Sequence, residues 1–154
     1  KPVSIHEHHV INSLVKDGII TVAVGGGGIP VIETDTELKG VEAVIDKDFA
    51  AQKLAELVDA DALIILTAVD NVYINYNQPN QRKLEEISIA ELEKLVEEGH
   101  FAPGSMLPKV QAAINFAKGH PERETIITSL DQAYAALEGR AGTIVSKSGA
   151  SVLV

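Results

Sequence analysis

The chain has 154 residues, 45% of them hydrophobic and none of them cysteine, which is enough for one packed domain over 1–154 and excludes disulfide and thiolate chemistry. Its 13 basic against 22 acidic side chains give a net charge of −9, which argues against a protein that tracks nucleic-acid phosphates with a basic face. No apolar run approaches the ~20 residues of a membrane helix, and the first residues carry no apolar signal stretch, so a cytoplasmic location with no membrane partner is the expectation.

Ser4 and Glu7 read as a capping box that opens a helix from about Ile5 to Lys16, closed by Gly18. The β-branched run Ile19 to Val24 reads as a strand ending at four glycines, Gly25, Gly26, Gly27 and Gly28. A short extended segment, Ile29 to Glu33, is followed by a polar turn from Thr34 to Gly40 and by Val41 to Ile45. After Asp46-Lys47-Asp48 the spacing places Ala50, Leu54, Leu57 and Val58 on one face of a helix.

Ala62 to Thr67 is a continuous apolar run, as a strand buried on both faces should be. Asn71 to Lys83 shows no period and reads as a loop. A second capping box, Ser88/Glu91, opens a helix to about Glu98 with Ile89, Leu92, Leu95 and Val96 inward. Another helix follows Ser105, with Val110, Ala113, Ile114 and Ala117 as its buried stripe; Thr125 to Thr128 is a strand, Ser129/Gln132 caps a helix to Leu137, and Gly142 to Ser146 is a last strand. Alternating strands and helices predict a mainly parallel sheet with helices on its faces. A parallel sheet usually has more strands than the four or five found, so further sequence is expected upstream.

With so acidic a chain, an anionic ligand must be met locally by a few lysines and backbone amides. The segment Gly25 to Gly28, before Ile29-Pro30, lets amides approach an anion with no Cβ in the way, and four glycines are more than a turn requires. It matches neither the dinucleotide fingerprint nor a P-loop. Asp46-Lys47-Asp48 falls where a helix begins; capping explains the two aspartates but leaves Lys47 at the wrong end of the helix unless a ligand holds it. In Gly104-Ser105-Met106-Leu107-Pro108-Lys109, Ser105 is the N-cap, and Lys109 can reach back to an anion held by the free amides of Met106 and Leu107. Solvation on the helix surface is the ordinary alternative for that lysine.

Two ammonium groups ~4 Å apart on one phosphate repel by about 4 kcal/mol at an effective dielectric of 20, which gives Asp48 a use between Lys47 and Lys109. His6, His8 and His9 lack the i, i+4 spacing of a helical zinc pair, so no metal ligand is assigned. His100 and His120 show no evident partner, and Tyr73 and Tyr76 could flank a purine.

Gly25 to Val31, Val41 to Asp48, Leu66-Thr67-Ala68-Val69-Asp70 and Gly99 to Lys109 together resemble, in order and spacing, the carbamate kinase pattern within the amino acid kinase superfamily. The resemblance covers nearly the whole chain, yet members of that family are about twice as long, so it implies the C-terminal, nucleotide-binding half. The fold implied is a three-layer αβα sandwich. The activity implied is phosphoryl transfer between ATP and carbamate, giving ADP and carbamoyl phosphate, with Mg2+, in a homodimer that mostly runs toward ATP in arginine fermentation. By the same resemblance Lys47 and Lys109 neutralise phosphates, Asp48 steadies them, and Gly25 to Gly28 supply amides. Thr67, Ala68, Val69, Asp70, Tyr73, Gly104, Ser105 and Met106 then serve the nucleotide. The absent half implies a fragment that is poorly active or inactive alone. Another amino acid kinase, or a nucleotide-binding domain without catalysis, stays open as an alternative.

Overall fold

The computed structural model describes residues 1–149; the last five of the range 1–154 expected as one domain lie outside the described residues. Two compact units are present, Lys1–Asp59 and Ala60–Val154.

In the first unit, helix α1 (His8–Lys16) begins at His8 rather than Ile5. The amide and the ring Nδ1 of His8 both meet the carbonyl of Ile5, at 3.2 and 2.6 Å. This turn runs directly into the helix, with Glu7 as the N-cap without a side-chain bond, and the Ser4/Glu7 box does not form. The run Ile19 to Val24 is not a strand. β propensity is expressed through cross-strand neighbours; no described strand pairs with this run, and Ile20 and Val22 stand 97% and 94% exposed. Strands β1 (Val31–Glu33) and β2 (Leu38–Gly40) form an antiparallel hairpin. The amide and hydroxyl of Thr34 both donate to the carbonyl of Glu37 at 2.9 Å, so the expected turn closes by Glu37 and its remainder becomes β2.

Helix α2 (Lys47–Leu57) is capped by Asp46, whose Oδ1 accepts from the amides of Asp48 at 2.8 Å and Phe49 at 3.3 Å. It buries Asp48, Phe49, Ala50, Gln52 and Ala55. Of the expected stripe only Ala50 is buried, while Leu54, Leu57 and Val58 are half-buried. The buried face is turned toward Phe49, the bulkiest apolar side chain of the helix, over whose ring the Lys1 ammonium lies 4.3 Å from the centroid.

The second unit contains, in chain order, β3 (Ala62–Thr67), β4 (Val72–Ile74), β5 (Arg82–Leu84), β6 (Glu86–Ser88), α3 (Ile89–Glu97), α4 (Met106–Lys118) and β7 (Glu124–Ser129). A single 3-10 turn, Leu130–Gln132, then leads into α5 (Ala133–Leu137) and β8 (Thr143–Ser146). The central sheet has the order β3-β7-β8-β6, with β3 parallel to β7, β6 parallel to β8, and β7 and β8 antiparallel.

Pairing sets Ile64, Ile126 and Ile144 in one row across three strands, and Ala136 of α5 packs on that row. Successive strand residues face opposite sides; Thr125, beside Ile126, sends its hydroxyl to the carbonyl of Ala113 in α4 at 3.3 Å. Helix α4, with α3 beside it, therefore covers one face and α5 the other, giving three layers. The stripe Val110, Ala113, Ile114 and Ala117 is buried as its spacing predicts. Burial of each large aliphatic side chain in these layers contributes about 2 kcal/mol.

Two pieces of this unit depart from the sequence reading. Asn71 to Lys83 is not a plain loop: β4 and β5 pair antiparallel, with Val72 opposite Leu84. The hairpin is fastened from below, because the Asn71 amide nitrogen donates to the carbonyls of Leu84 at 2.9 Å and Gly142 at 2.7 Å. The Thr143 hydroxyl accepts from the Val72 amide at 2.8 Å and donates to the Leu84 carbonyl at 2.5 Å. Strand β6 was also not foreseen, since its three residues are too few to show a period. The capping box after it does form: Ser88 accepts from the Glu91 amide, and the Glu91 carboxylate accepts from the Ser88 amide.

Candidate functional site

A cavity of about 540 Å³ opens within the second unit, in the size range of small-molecule pockets. Its wall comes from four places: Thr67, Ala68 and Val69 at the end of β3; Tyr73, Asn75 and Tyr76 on the hairpin; Gly99, His100, Phe101 and Ala102 after α3; and Ser105 and Met106 at the start of α4. A crevice at the carboxyl end of a parallel strand is where open α/β sheets place ligands.

Local geometry explains why these residues meet. After α3, Gly99 adopts φ +79, and the amides of Gly99 and His100 return to the carbonyls of Val96 and Leu95 at 3.1 and 3.2 Å. This closure reverses the chain and sends His100 and Phe101 to the wall. On the hairpin the Tyr73 and Tyr76 rings lie 5.9 Å apart at 45°. The Tyr73 hydroxyl donates to Asp70 Oδ1 at 2.7 Å, and that bond, with a smaller contribution from desolvation, holds the phenol above its ordinary pKa.

At the mouth of α4, Ser105 is the N-cap without a side-chain bond. The carbonyl of Ala102 accepts from the amides of Ser105 at 3.2 Å and Leu107 at 3.0 Å. The Leu107 amide is thus committed to the chain and is not free for an anion, contrary to the sequence reading. Pro108 sits in the first turn, where no intrahelical bond is lost. Lys109 follows, half-buried and outside the cavity lining.

The structure brings together Thr67, Ala68, Val69, Tyr73, Ser105 and Met106 on one wall. Asp70 and Gly104 are not on it; Asp70 holds the Tyr73 hydroxyl and, through its carbonyl, the Thr128 hydroxyl at 3.0 Å, while Gly104 is exposed in the loop before α4. Gly99, His100, Phe101 and Ala102 were missed as lining residues. Nothing in local periodicity marks them; the helix stop at Gly99 is the one signal that points to their turn. The histidines without an evident partner have one: His100 Nε2 is 3.2 Å from Glu98 Oε2, and the His120 ring nitrogen Nδ1 accepts from the Glu122 amide at 3.3 Å.

In the first unit the glycine segment meets the helix start. A Cβ on Gly27, at φ +137, would lie 2.1 Å from the carbonyl oxygen of Ile45, the residue before the Asp46 cap. Backbone contact thus brings Gly25, Gly26, Gly27 and Gly28 beside Asp46-Lys47-Asp48, with the other three glycines exposed. Successive helix positions are about 100° apart; Lys47 is exposed while Asp48 is 7% exposed.

A larger cavity of about 960 Å³ in the second unit is lined by charges of both signs, including Arg82, Lys83, Glu85, Lys94 and Glu98. Lys83 pairs with Glu85 at 2.6 Å, so its cations give no clear preference for an anion. Among the described residues no three His, Asp or Glu side chains are grouped to hold a metal ion, and no helix is long and apolar enough to cross a membrane.

The chain belongs to the amino acid kinase family, whose model matches residues 1–129. Within that family its similar relatives are carbamate kinases. The chain is 57% identical over 149 residues to carbamate kinase 1 of Enterococcus faecium, covering 96% of this chain and 47% of that one. It is 55% identical over 147 residues to the carbamate kinase of Latilactobacillus sakei, with the same coverage. The structure of carbamate kinase from Giardia lamblia bound to AMP-PNP superposes with a TM-score of 0.92 at 45% identity, over 95% of this chain and 46% of that chain. The chain spans about half the length of the curated relatives it matches.

Proposed function

We propose that this chain is the nucleotide-binding, C-terminal part of a carbamate kinase, its two units belonging to one domain of a longer polypeptide. The reaction is reversible phosphoryl transfer between ATP and carbamate, run toward ATP from carbamoyl phosphate in arginine breakdown, in a cytoplasmic homodimer. The observation that carries this reading is the 57% identity to a carbamate kinase across 96% of the chain. The cavity beside α4 supports it, being of a size to take a nucleoside base.

Phosphoryl transfer asks a protein for positioning and charge neutralisation more than for covalent work. In this reading the base enters the cavity of the second unit, between the tyrosines of the hairpin and Met106. Lys47 and Lys109 are the lysines that neutralise phosphate charge, Asp48 is the carboxylate that steadies lysine, and Gly25 to Gly28 supply backbone amides. Mg2+, when bound, neutralises charge between the phosphates. It would be held mostly by nucleotide oxygens, as this ion commonly is.

The test is ATP formation from carbamoyl phosphate and ADP by the complete polypeptide, with aspartate and acetylglutamate as competing acceptors in the reverse direction. Carbamate is the expected acceptor. Transfer to one of the others, or ADP binding with no transfer at all, would overturn the assignment. Lys109→Ala is expected to lower turnover by orders of magnitude with an unchanged circular dichroism spectrum, and near-normal activity would remove Lys109 from the mechanism.

A further inference from the structure

We propose that His100, oriented by Glu98, is a specificity-determining residue that reads the 6-amino group of the purine. This rests on the reading of the 540 Å³ cavity as the base site.

The side chains on the cavity wall fall into two kinds. The hydroxyls of Thr67, Tyr76 and Ser105 rotate and can donate or accept, so they cannot tell an amino group from a carbonyl. The Tyr73 hydroxyl is spent on Asp70 at 2.7 Å. Asn75 directs one amide N–H to the carbonyl of Asn80 at 3.4 Å and keeps both its oxygen and a second N–H, so it too can meet either kind of group. One side chain has fixed polarity: His100 has Nε2 3.2 Å from Glu98 Oε2.

A carboxylate only accepts, so this contact fixes the proton of a neutral imidazole on Nε2 and leaves Nδ1 as a bare lone pair. The ring is 22% exposed at its side chain and belongs to the wall. In that form the fixed-polarity group that His100 brings to the wall is an acceptor. A 6-aminopurine offers two N–H donors at that edge; a 6-oxopurine offers an oxygen, which an acceptor repels. Glu98 does not line the cavity and acts through His100 as a positioning residue: without the carboxylate the ring is free to take the other tautomer, with a donor at Nδ1.

The experiment is calorimetric titration of the complete polypeptide with ADP and with inosine diphosphate, which differ at the 6-position. Wild type is expected to prefer ADP. His100→Phe should reduce the ADP-to-IDP preference at least about tenfold, mostly through weaker ADP binding. His100→Asn, which keeps an acceptor near the Nδ1 position, should restore part of it. Glu98→Gln should move the preference in the same direction as His100→Phe by a smaller factor. Because Glu98 is a half-exposed surface residue, this variant decides the matter should His100→Phe fail to fold. An unchanged ADP-to-IDP ratio in the folded variants, with nucleotide still bound, would overturn the role of His100 alone. Absence of nucleotide binding by wild type would overturn both this role and the base-site reading beneath it.

Discussion

An alanine at position 27 would drive a methyl group into the carbonyl oxygen of Ile45, 2.1 Å away, at a φ of +137 that L residues rarely adopt. Gly27→Ala is therefore expected to destabilise the chain by about 2 kcal/mol or more, read as a lower urea midpoint. Gly26→Ala, with open space around it and an ordinary φ, should shift the midpoint by a few tenths of that. Equal midpoints for the two variants would show that the Ile45 contact does not constrain the loop. Asn71 is a second residue whose value lies in its partners. Asn71→Ala leaves the carbonyls of Leu84 and Gly142 without this donor and should cost about 1–3 kcal/mol, with a raised KM for nucleotide because the hairpin carries Tyr73 and Asn75. The sequence pointed to Tyr73 and Met106 as wall residues, but gave no sign of Asn71 or Thr143, whose partners lie up to 72 residues away. A polar residue in a loop looks alike whether water or a distant carbonyl receives its hydrogen.

At the scale of elements, legibility followed length. The thirteen residues of α4 display a full apolar stripe, and each stripe residue is buried. Strands of three residues such as β4, β5 and β6 contain one alternation at most, so no period can announce them. The run Ile19 to Val24 has the composition of a strand and no described partner, which shows that pairing, and not side-chain type alone, makes a strand. The capping box of α3 was legible because both its members are local, and it yields a pH prediction. Hydrogen bonds from the hydroxyl and amide of Ser88 hold the Glu91 carboxyl below its ordinary pKa of 4.5. A lowered folded-state value means that the contribution is complete above the unfolded pKa and is lost as pH falls through the lowered one. Amide exchange at the first turn of α3 should accordingly speed up from about pH 4.5 downward beyond the intrinsic rate change. Glu91→Ala should abolish that extra pH dependence, and its persistence in that variant would assign it to another carboxylate. Ser88→Ala should cost about 1 kcal/mol at neutral pH.

For the whole molecule, the three-layer order of the second unit was foreseeable from alternating elements, whereas the antiparallel step between β7 and β8 was not. The link between them, residues 130–142, holds a 3-10 turn and the five residues of α5, and β8 returns antiparallel beside β7. Expressed alone, the 154-residue chain is expected to show no carbamoyl phosphate-dependent ATP formation, since it spans 47% of the length of its relatives. Turnover by a preparation whose intact mass excludes anything longer would refute this.

Every residue that lines the 540 Å³ cavity lies at or before Met106, yet the Asn71 and Thr143 hydrogen bonds tie the hairpin to the strand that ends the described sheet. During synthesis this cavity is not expected to take its final form until that late strand has left the ribosome and docked. A protein cut at about residue 140 would carry all the wall residues and still present a slack cleft.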